Sequence, residues 1–266
     1  MDHASENRTP TAVISPAMGV PARVYRRFSE ALTDDGFDVR LVPRRGLEEG
    51  SPPPSRGTDW SYEDEADDLA ASVAESRAAT GGPVVVIGHS LGAQLAALAA
   101  QRSGAAPDGI VAIGASVPWF RFYGVRAVPF AALAASVAPI GAVVGHWPRQ
   151  GFAGPTPRTL MRQWARMVLT GRPPFDLDGS VRVPTLMVRL GDDELVTDPA
   201  AAAFETAFAQ DALTRWVYDD SLCPPEGNAT HLGWSRTPQV VARRIAQWWR
   251  SHTGADPLRE GATESA

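Results

Sequence analysis

Apolar residues in this chain follow two rhythms that alternate along most of its length. TAVISP at 11–16, PVVVIG at 83–88, GIVAIGA at 109–115 and PTLMVRLG at 184–191 are short, nearly continuous apolar runs rich in β-branched residues. Runs of this kind predict strands covered on both faces, as in a parallel sheet. FDVRLVP at 37–43 and LTRWVYDD at 213–220 add two more strands. Between the runs the apolar residues recur at helical spacing. Val24, Phe28, Ala31 and Leu32 mark one helix, which Gly36 can stop. Residues 61–79 (SYEDEADDLAASVAESRAA) mark a second, with acidic residues massed where a helix dipole favours them. SLGAQLAALAAQRSG, AAAFETAFAQ and QVVARRIAQWWRSH supply three more. Strand and helix in alternation predict an α/β fold, a mostly parallel sheet of about six strands flanked by helices.

The rhythm breaks between about residues 117 and 180, which hold Trp119, Phe120, Phe122, Tyr123, Trp147, Phe152 and Trp164 but no buried strand. The expected organisation is therefore a core of residues 11–116 and 182–252, interrupted by a helical insertion at 117–181, with polar tails at 1–10 and 254–266. Inside the insertion, Val128–Gly145 is nearly long enough to suggest a membrane span. Pro129, Pro139, Gly141, Gly145 and the many alanines point instead to a buried or lid-forming helix, and no stable membrane insertion is expected.

Composition narrows the function classes. The 266 residues are 44% hydrophobic and 21% charged, with a net charge of −5. These values exclude wholesale disorder and a nucleic-acid binder that works by bulk positive charge. Every basic residue among the Lys and Arg is arginine, which removes lysine Schiff-base chemistry. Cys223 is the only cysteine, so neither an internal disulfide framework nor a cysteine-rich zinc site is available. A single thiol suits a reducing compartment, and the polar start MDHASENRTP has no basic and apolar signal regions; a cytoplasmic location is the expectation.

Chemistry enters at Gly88-His89-Ser90-Leu91-Gly92, a G-x-S-x-G pattern between the VVVI strand and the alanine-rich helix. The pattern alone is common, and its bland reading is a glycine-rich turn with Ser90 as an N-cap. In this context it predicts a sharp strand-to-helix turn that lifts Ser90 above the sheet's carboxyl edge. Small residues at 88 and 92 would let strand and helix approach, and the Leu91 N–H would face a developing oxyanion.

On these features the sequence resembles the α/β-hydrolase superfamily over nearly its whole length. It looks most similar to a branch of hydrolases related to serine aminopeptidase-like and esterase-like members. SPAMGVPARVYRRF, GHSLGAQ, HWPRQGFAGPTPRTLMRQWARM, GDDE and THLGW carry the resemblance. It implies a triad in the chain order serine, acid, histidine. Of the five histidines, His3 and His252 are peripheral, His89 is locked in the elbow and expected to point elsewhere, and His146 is in the insertion. His231, in the loop before the last helix, stands where the base belongs. The family's acidic segment matches DELV, Asp193–Val196, which favours Asp193 over its neighbour Asp192. The second oxyanion donor falls on Met18, with Pro16 and Ala17 where many relatives have a His-Gly pair and Gly19 allowing the turn. Only about ten residues precede the first parallel strand, where many relatives have a hairpin, so a sheet reduced to six strands is the expectation.

The expected reaction is acyl transfer to water, by default from a carboxylic ester, without metal or organic cofactor. A thioester on a carrier is the nearest rival, followed by amide cleavage, a lyase or cyclase using the same site, and a catalytically silent ligand-binding member of the fold. Residues 117–175 contain no Asp or Glu but seven arginines, at 121, 126, 149, 158, 162, 166 and 172. They either solvate a lid or bind an anionic or carrier-bound substrate. The oligomeric state is left open.

Overall fold

The computed structural model describes residues 8–102, 106–148 and 155–254. The β-branched runs form β1 (Thr11–Ser15), β2 (Asp38–Leu41), β3 (Val84–His89), β4 (Gly109–Ile113), β7 (Thr185–Leu190) and β8 (Leu213–Tyr218). They pair in the order β2-β1-β3-β4-β7-β8, every neighbour parallel. The helices are α1 (Arg26–Asp34), α2 (Tyr62–Thr80), α3 (Leu91–Arg102), α4 (Ala127–Val144), α5 (Arg158–Thr170), α6 (Asp198–Glu205) and α7 (Gln239–Thr253).

Strand alternation divides the core into two layers. Val13, Val84, Val86 and Ile110 face the side of α2 and α3. Ile14, Val85, Ile87 and Val111 face the side of α1 and α7, where Phe28, Trp234 and Trp248 are fully buried. Because both faces are covered, the strands read as continuous apolar runs. The chain steps from β1 outward to β2 and returns to β3 on β1's other side. A crevice therefore opens beyond the carboxyl ends of β1 and β3, the place where open α/β sheets bind ligands.

The acidic start of α2 has more specific work than dipole compensation. Ser61 and Asp64 form a reciprocal capping box, Glu65 is buried, and Asp68 pairs with Arg45. Gly81, in the left-handed conformation, ends the helix. One expected apolar position moves: Val24 lies in a 3₁₀ turn, Ala22–Tyr25, ahead of α1 and is 43% exposed. The tighter winding turns Tyr25 inward in its place. Residues 8–10 lie against the sheet, the Pro10 carbonyl accepting from the Asp38 N–H at 3.0 Å. The rest of the expected tails, 1–7 and 255–266, lies outside the described residues.

Between β4 and β7 the chain makes an excursion through a 3₁₀ turn (Phe120–Arg126), α4, the two-residue strands β5 (His146–Trp147) and β6 (Thr156–Pro157), and α5. β5 and β6 pair antiparallel, too briefly to leave an alternating pattern in the sequence. The excursion is tied to the core at several points. The Tyr123 hydroxyl donates to the Leu195 carbonyl at 2.9 Å and Arg126 to the Glu194 carbonyl at 2.7 Å. Arg56 donates to the Val143 carbonyl at the C-terminus of α4, and the Tyr62 N–H donates to Gln163 on α5 at 2.8 Å. Phe120–Val144 is long and apolar enough to cross a membrane, with a mean hydropathy of 2.0. Both its ends nevertheless return to one body, since α5 packs back along α4 and β7 lies beside β4.

Candidate active site

Ser90 is the single residue between β3 and α3. Its φ of +54° makes it the one non-glycine in the left-handed region among the described residues. Backbone held there costs ~1–3 kcal/mol and persists only where the surroundings enforce it. A Cβ on Gly88 would collide with the backbone of Gly92 and Ala93, and one on Gly92 with the Ser15 carbonyl of β1. Glycine at both positions thus lets α3 press against β3 and β1. The Ser90 N–H donates to the Ile113 carbonyl of β4 at 2.9 Å, which pins the turn. Leu91, the first residue of α3, has an N–H with no carbonyl to meet inside its own helix.

The loop after β8 carries His231 back over the sheet, and the loop after β7 carries Asp193. His231 Nδ1 and Asp193 Oδ2 are 2.7 Å apart, with both side chains under 10% exposed. The other carboxylate oxygen of Asp193 accepts from the Leu195 and Val196 N–H groups at 2.9 and 3.0 Å. Asp192 is exposed instead, its carboxyl pKa raised by a hydrogen bond with Asp220 and by the surrounding acidic charges. Ser90, His231, Met18 and Leu91 share one cavity of about 450 Å³, closed on the excursion side by Tyr123, Phe130, Leu133 and Trp164. His146 is on β5 and His252 near the end of α7, and neither lines this cavity; His3 is outside the described residues.

The sequence profile of the Alpha/beta hydrolase family matches residues 12–245. The chain is an alpha/beta hydrolase. No curated protein matches it in sequence. Among solved structures, a metagenome-derived lipolytic enzyme of the LipS and LipT pair superposes with a TM-score of 0.64 at 15% identity, covering 92% of this chain and 95% of its own. The monoacylglycerol lipase of Paleococcus ferrophilus gives 0.63 at 14%, covering 91% and 94%. The type II thioesterase BorB of the borrelidin biosynthetic cluster gives 0.58 at 18%, covering 91% and 92%. At these identities the likeness is one of fold.

Two supporting networks in the hydrolase are not visible in the sequence. His89 does follow strand alternation to the α1 and α7 face, but the His231 loop packs onto that same face. The two imidazoles meet with ring centroids 4.9 Å apart, so His89 does not point away from His231. The Tyr25 hydroxyl lies 2.7 Å from His89 Nδ1, and the Trp234 indole N–H points at His89 Nε2 from 3.5 Å. A protonated ring has no lone pair there to accept it. Burial first, then the neighbouring His231, push the His89 pKa well below that of an ordinary histidine.

The depressed pKa has a stability consequence. Below the unfolded histidine's pKa of ~6.5 the unfolded chain takes up a proton that the folded chain refuses, so stability falls with falling pH. Denaturant unfolding compared at neutral and mildly acid pH should show wild type losing up to ~1.4 kcal/mol per pH unit more than His89→Gln. Parallel pH dependences would show that His89 protonates freely in the fold.

The second network lies under the Pro16–Gly19 loop. Arg44 is buried, donating to the Pro16 carbonyl and to Glu65, which also accepts from the Trp60 indole at 2.8 Å. The Ala17 N–H donates to the Tyr25 hydroxyl at 3.0 Å, and Gly19 has a φ of +71°. A guanidinium fork and a phenol thus fix the stretch where many relatives carry a His-Gly pair. Gln94, at the end of the GHSLGAQ segment, accepts from Tyr62 and donates to the Ser116 carbonyl at 2.7 Å, bracing the cavity wall. These partners come from segments far apart in the chain, and only the buried charges at 44 and 65 break an expected pattern.

Proposed function

We propose that the hydrolase cleaves carboxylic esters through an acyl-enzyme intermediate on Ser90. The observation that carries this reading is the 2.7 Å contact of His231 with Asp193 at the cavity that also holds the strained Ser90 elbow. In this mechanism His231 takes the Ser90 proton as the oxygen attacks the ester carbonyl, then returns it to the leaving alcohol. A water activated by the same imidazole releases the acid. Asp193 holds the tautomer with Nδ1–H toward itself and stabilises the imidazolium that forms. The main-chain N–H groups of Met18 and Leu91 receive the oxyanion, both residues lining the Ser90 cavity. The aromatic and aliphatic wall from the excursion suits an acyl chain. The setting proposed is the cytoplasm, in keeping with a single free thiol, Cys223.

A thioester is the second reading, favoured by the absence of acidic residues and the wealth of arginine over residues 117–175, which suits an anionic carrier. Graded p-nitrophenyl esters and matching acyl thioesters, assayed beside labelling by a fluorophosphonate probe, separate the possibilities. The expected result is Ser90-dependent labelling with kcat/KM highest on esters. Higher kcat/KM on thioesters transfers the assignment to them. Neither labelling nor turnover would leave a silent ligand-binding member of the fold.

A further inference from the structure

α4 is an anomaly for a surface helix. It carries no charged side chain, and its exposed positions, from Val128 and Pro129 through Leu133 and Pro139 to Val143 and Val144, are all apolar. Val128 is 79% and Val143 73% exposed, and only 17% of the most apolar window of Phe120–Val144 is buried. Val125, just ahead of the helix, is 99% exposed. Scattered exposed valines need no explanation, but a helix-long apolar face marks an interaction surface.

Charge identifies the partner. Arg121 and Arg126 are exposed at one end of this face and Arg56 at the other, while α5, packed beside α4, exposes Arg162 and Arg166. No acidic residue lies between 117 and 175. Of the excursion's described arginines, Arg158 is committed to Asp59 and Arg126 borders the cavity, whereas Arg162 and Arg166 have no ion pair among the described residues. A second copy docked by this face would set like charges against each other. An acidic carrier would answer the arginines but leave the apolar length of α4 in water. An anionic bilayer surface answers both, taking the apolar face between its headgroups and the arginines at its phosphates. The face is also continuous with the site, because Pro129 and Leu133 are exposed and line the Ser90 cavity.

We infer that α4 and its arginine rim dock the hydrolase onto anionic lipid bilayers, with the cavity mouth at the surface so that an acyl ester dissolved in the membrane enters from there. The docking follows from the surface alone, and the route for the ester rests on the proposed esterase reading. Monolayer-plane docking of this kind differs from spanning, which the return of both ends to one sheet does not require.

The test is co-sedimentation of the full chain with vesicles of phosphatidylcholine alone or mixed with phosphatidylglycerol. Binding should favour the mixed vesicles and weaken as salt rises. Val128→Asp with Val143→Asp should lower the partition coefficient at least ~10-fold, since each valine loses its burial. Arg162→Glu with Arg166→Glu should lower it by at least ~25-fold, at ~5-fold for each arginine taken away from the phosphates, with the repulsion of two glutamates added. Neither pair lines the cavity, so turnover of water-soluble p-nitrophenyl butyrate should persist and certify folding. Ser90→Ala should bind vesicles as wild type does. Equal binding to both vesicle types, indifference to the two double variants, or a dimer in light scattering that Val128→Asp dissociates would each overturn the docking. So would capture by an acidic acyl-carrier protein with no vesicle binding. Vesicle binding by a protein that cleaves no ester would keep the docking and defeat the esterase reading instead; ester cleavage without vesicle binding does the reverse.

Discussion

Ser90→Ala is expected to lower kcat/KM on an ester by about 10⁴–10⁶ while leaving the fold intact, the loss typical when a triad nucleophile is removed and only oxyanion binding remains. The fold should survive because the turn does not depend on the hydroxyl. It depends on the Gly88 and Gly92 contacts and on the Ser90 N–H bond to Ile113, all of which alanine keeps. Ser90→Gly adds a second reading of the same strain. Glycine accepts a φ of +54° without penalty, so this variant should be inactive and more stable than wild type by about 1 kcal/mol. Turnover measured beside denaturant unfolding checks both. Near-wild-type turnover in Ser90→Ala would remove the serine mechanism, and a destabilised Ser90→Gly would remove the strain.

The second large effect concerns the acid. Asp193→Asn should cost about 10⁴ in kcat through the tautomer of His231. The Leu195 and Val196 N–H groups both donate to one oxygen of the Asp193 carboxylate. An asparagine must place its carbonyl there, which turns its NH₂ toward His231 Nδ1. That nitrogen then has to accept, the proton moves to Nε2, and the imidazole can no longer take a proton from Ser90. Asp192→Asn, on an exposed carboxyl, should leave turnover within a few-fold of wild type. The same loss in both variants would show that the loop's charge, and not the single contact to His231, sustains the rate.

How much of this can be read from the sequence follows from how far apart the cooperating residues lie. The sheet is legible because β1, β3, β4 and β7 are covered on both faces and so spell out their burial without help from neighbours. The elbow is legible because its requirements fall on five consecutive residues. Choosing Asp193 over Asp192 needs the family's segment; in the structure Asp193 is the one that meets His231, at 2.7 Å, while Asp192 is exposed. Alternation alone misplaces His89, since it gives a face but not what a distant loop lays upon it. Tyr25, 64 residues away, cannot be anticipated as its partner. Val24 falls in the buried stripe by helical counting because a 3₁₀ turn advances 120° per residue where that count assumes 100°. The prolines and alanines of the α4 run point to a buried or lid-forming helix. Hydropathy cannot distinguish a helix hidden in a core from one left open to the surroundings, and here it lies largely open.

The place where the excursion leaves the sheet has a consequence for how such a molecule can change. Its two ends belong to strands that are already hydrogen-bonded neighbours, with Ile113 of β4 opposite Val188 of β7. The excursion leaves at the carboxyl end of β4 and re-enters at the amino end of β7, where Thr185 lies opposite Ile110, three residues back from Ile113. The pairing of the two strands fixes these anchor points whatever the length between them, and closure entropy grows only slowly with that length. The wall that the excursion gives the Ser90 cavity can therefore be lengthened, shortened or rebuilt without shifting the register that holds Ser90, Asp193 and His231. On the proposed esterase reading, variation in what the cavity accepts is uncoupled from the residues that react, and a change of substrate can accumulate in α4 and α5 while the chemistry is inherited whole.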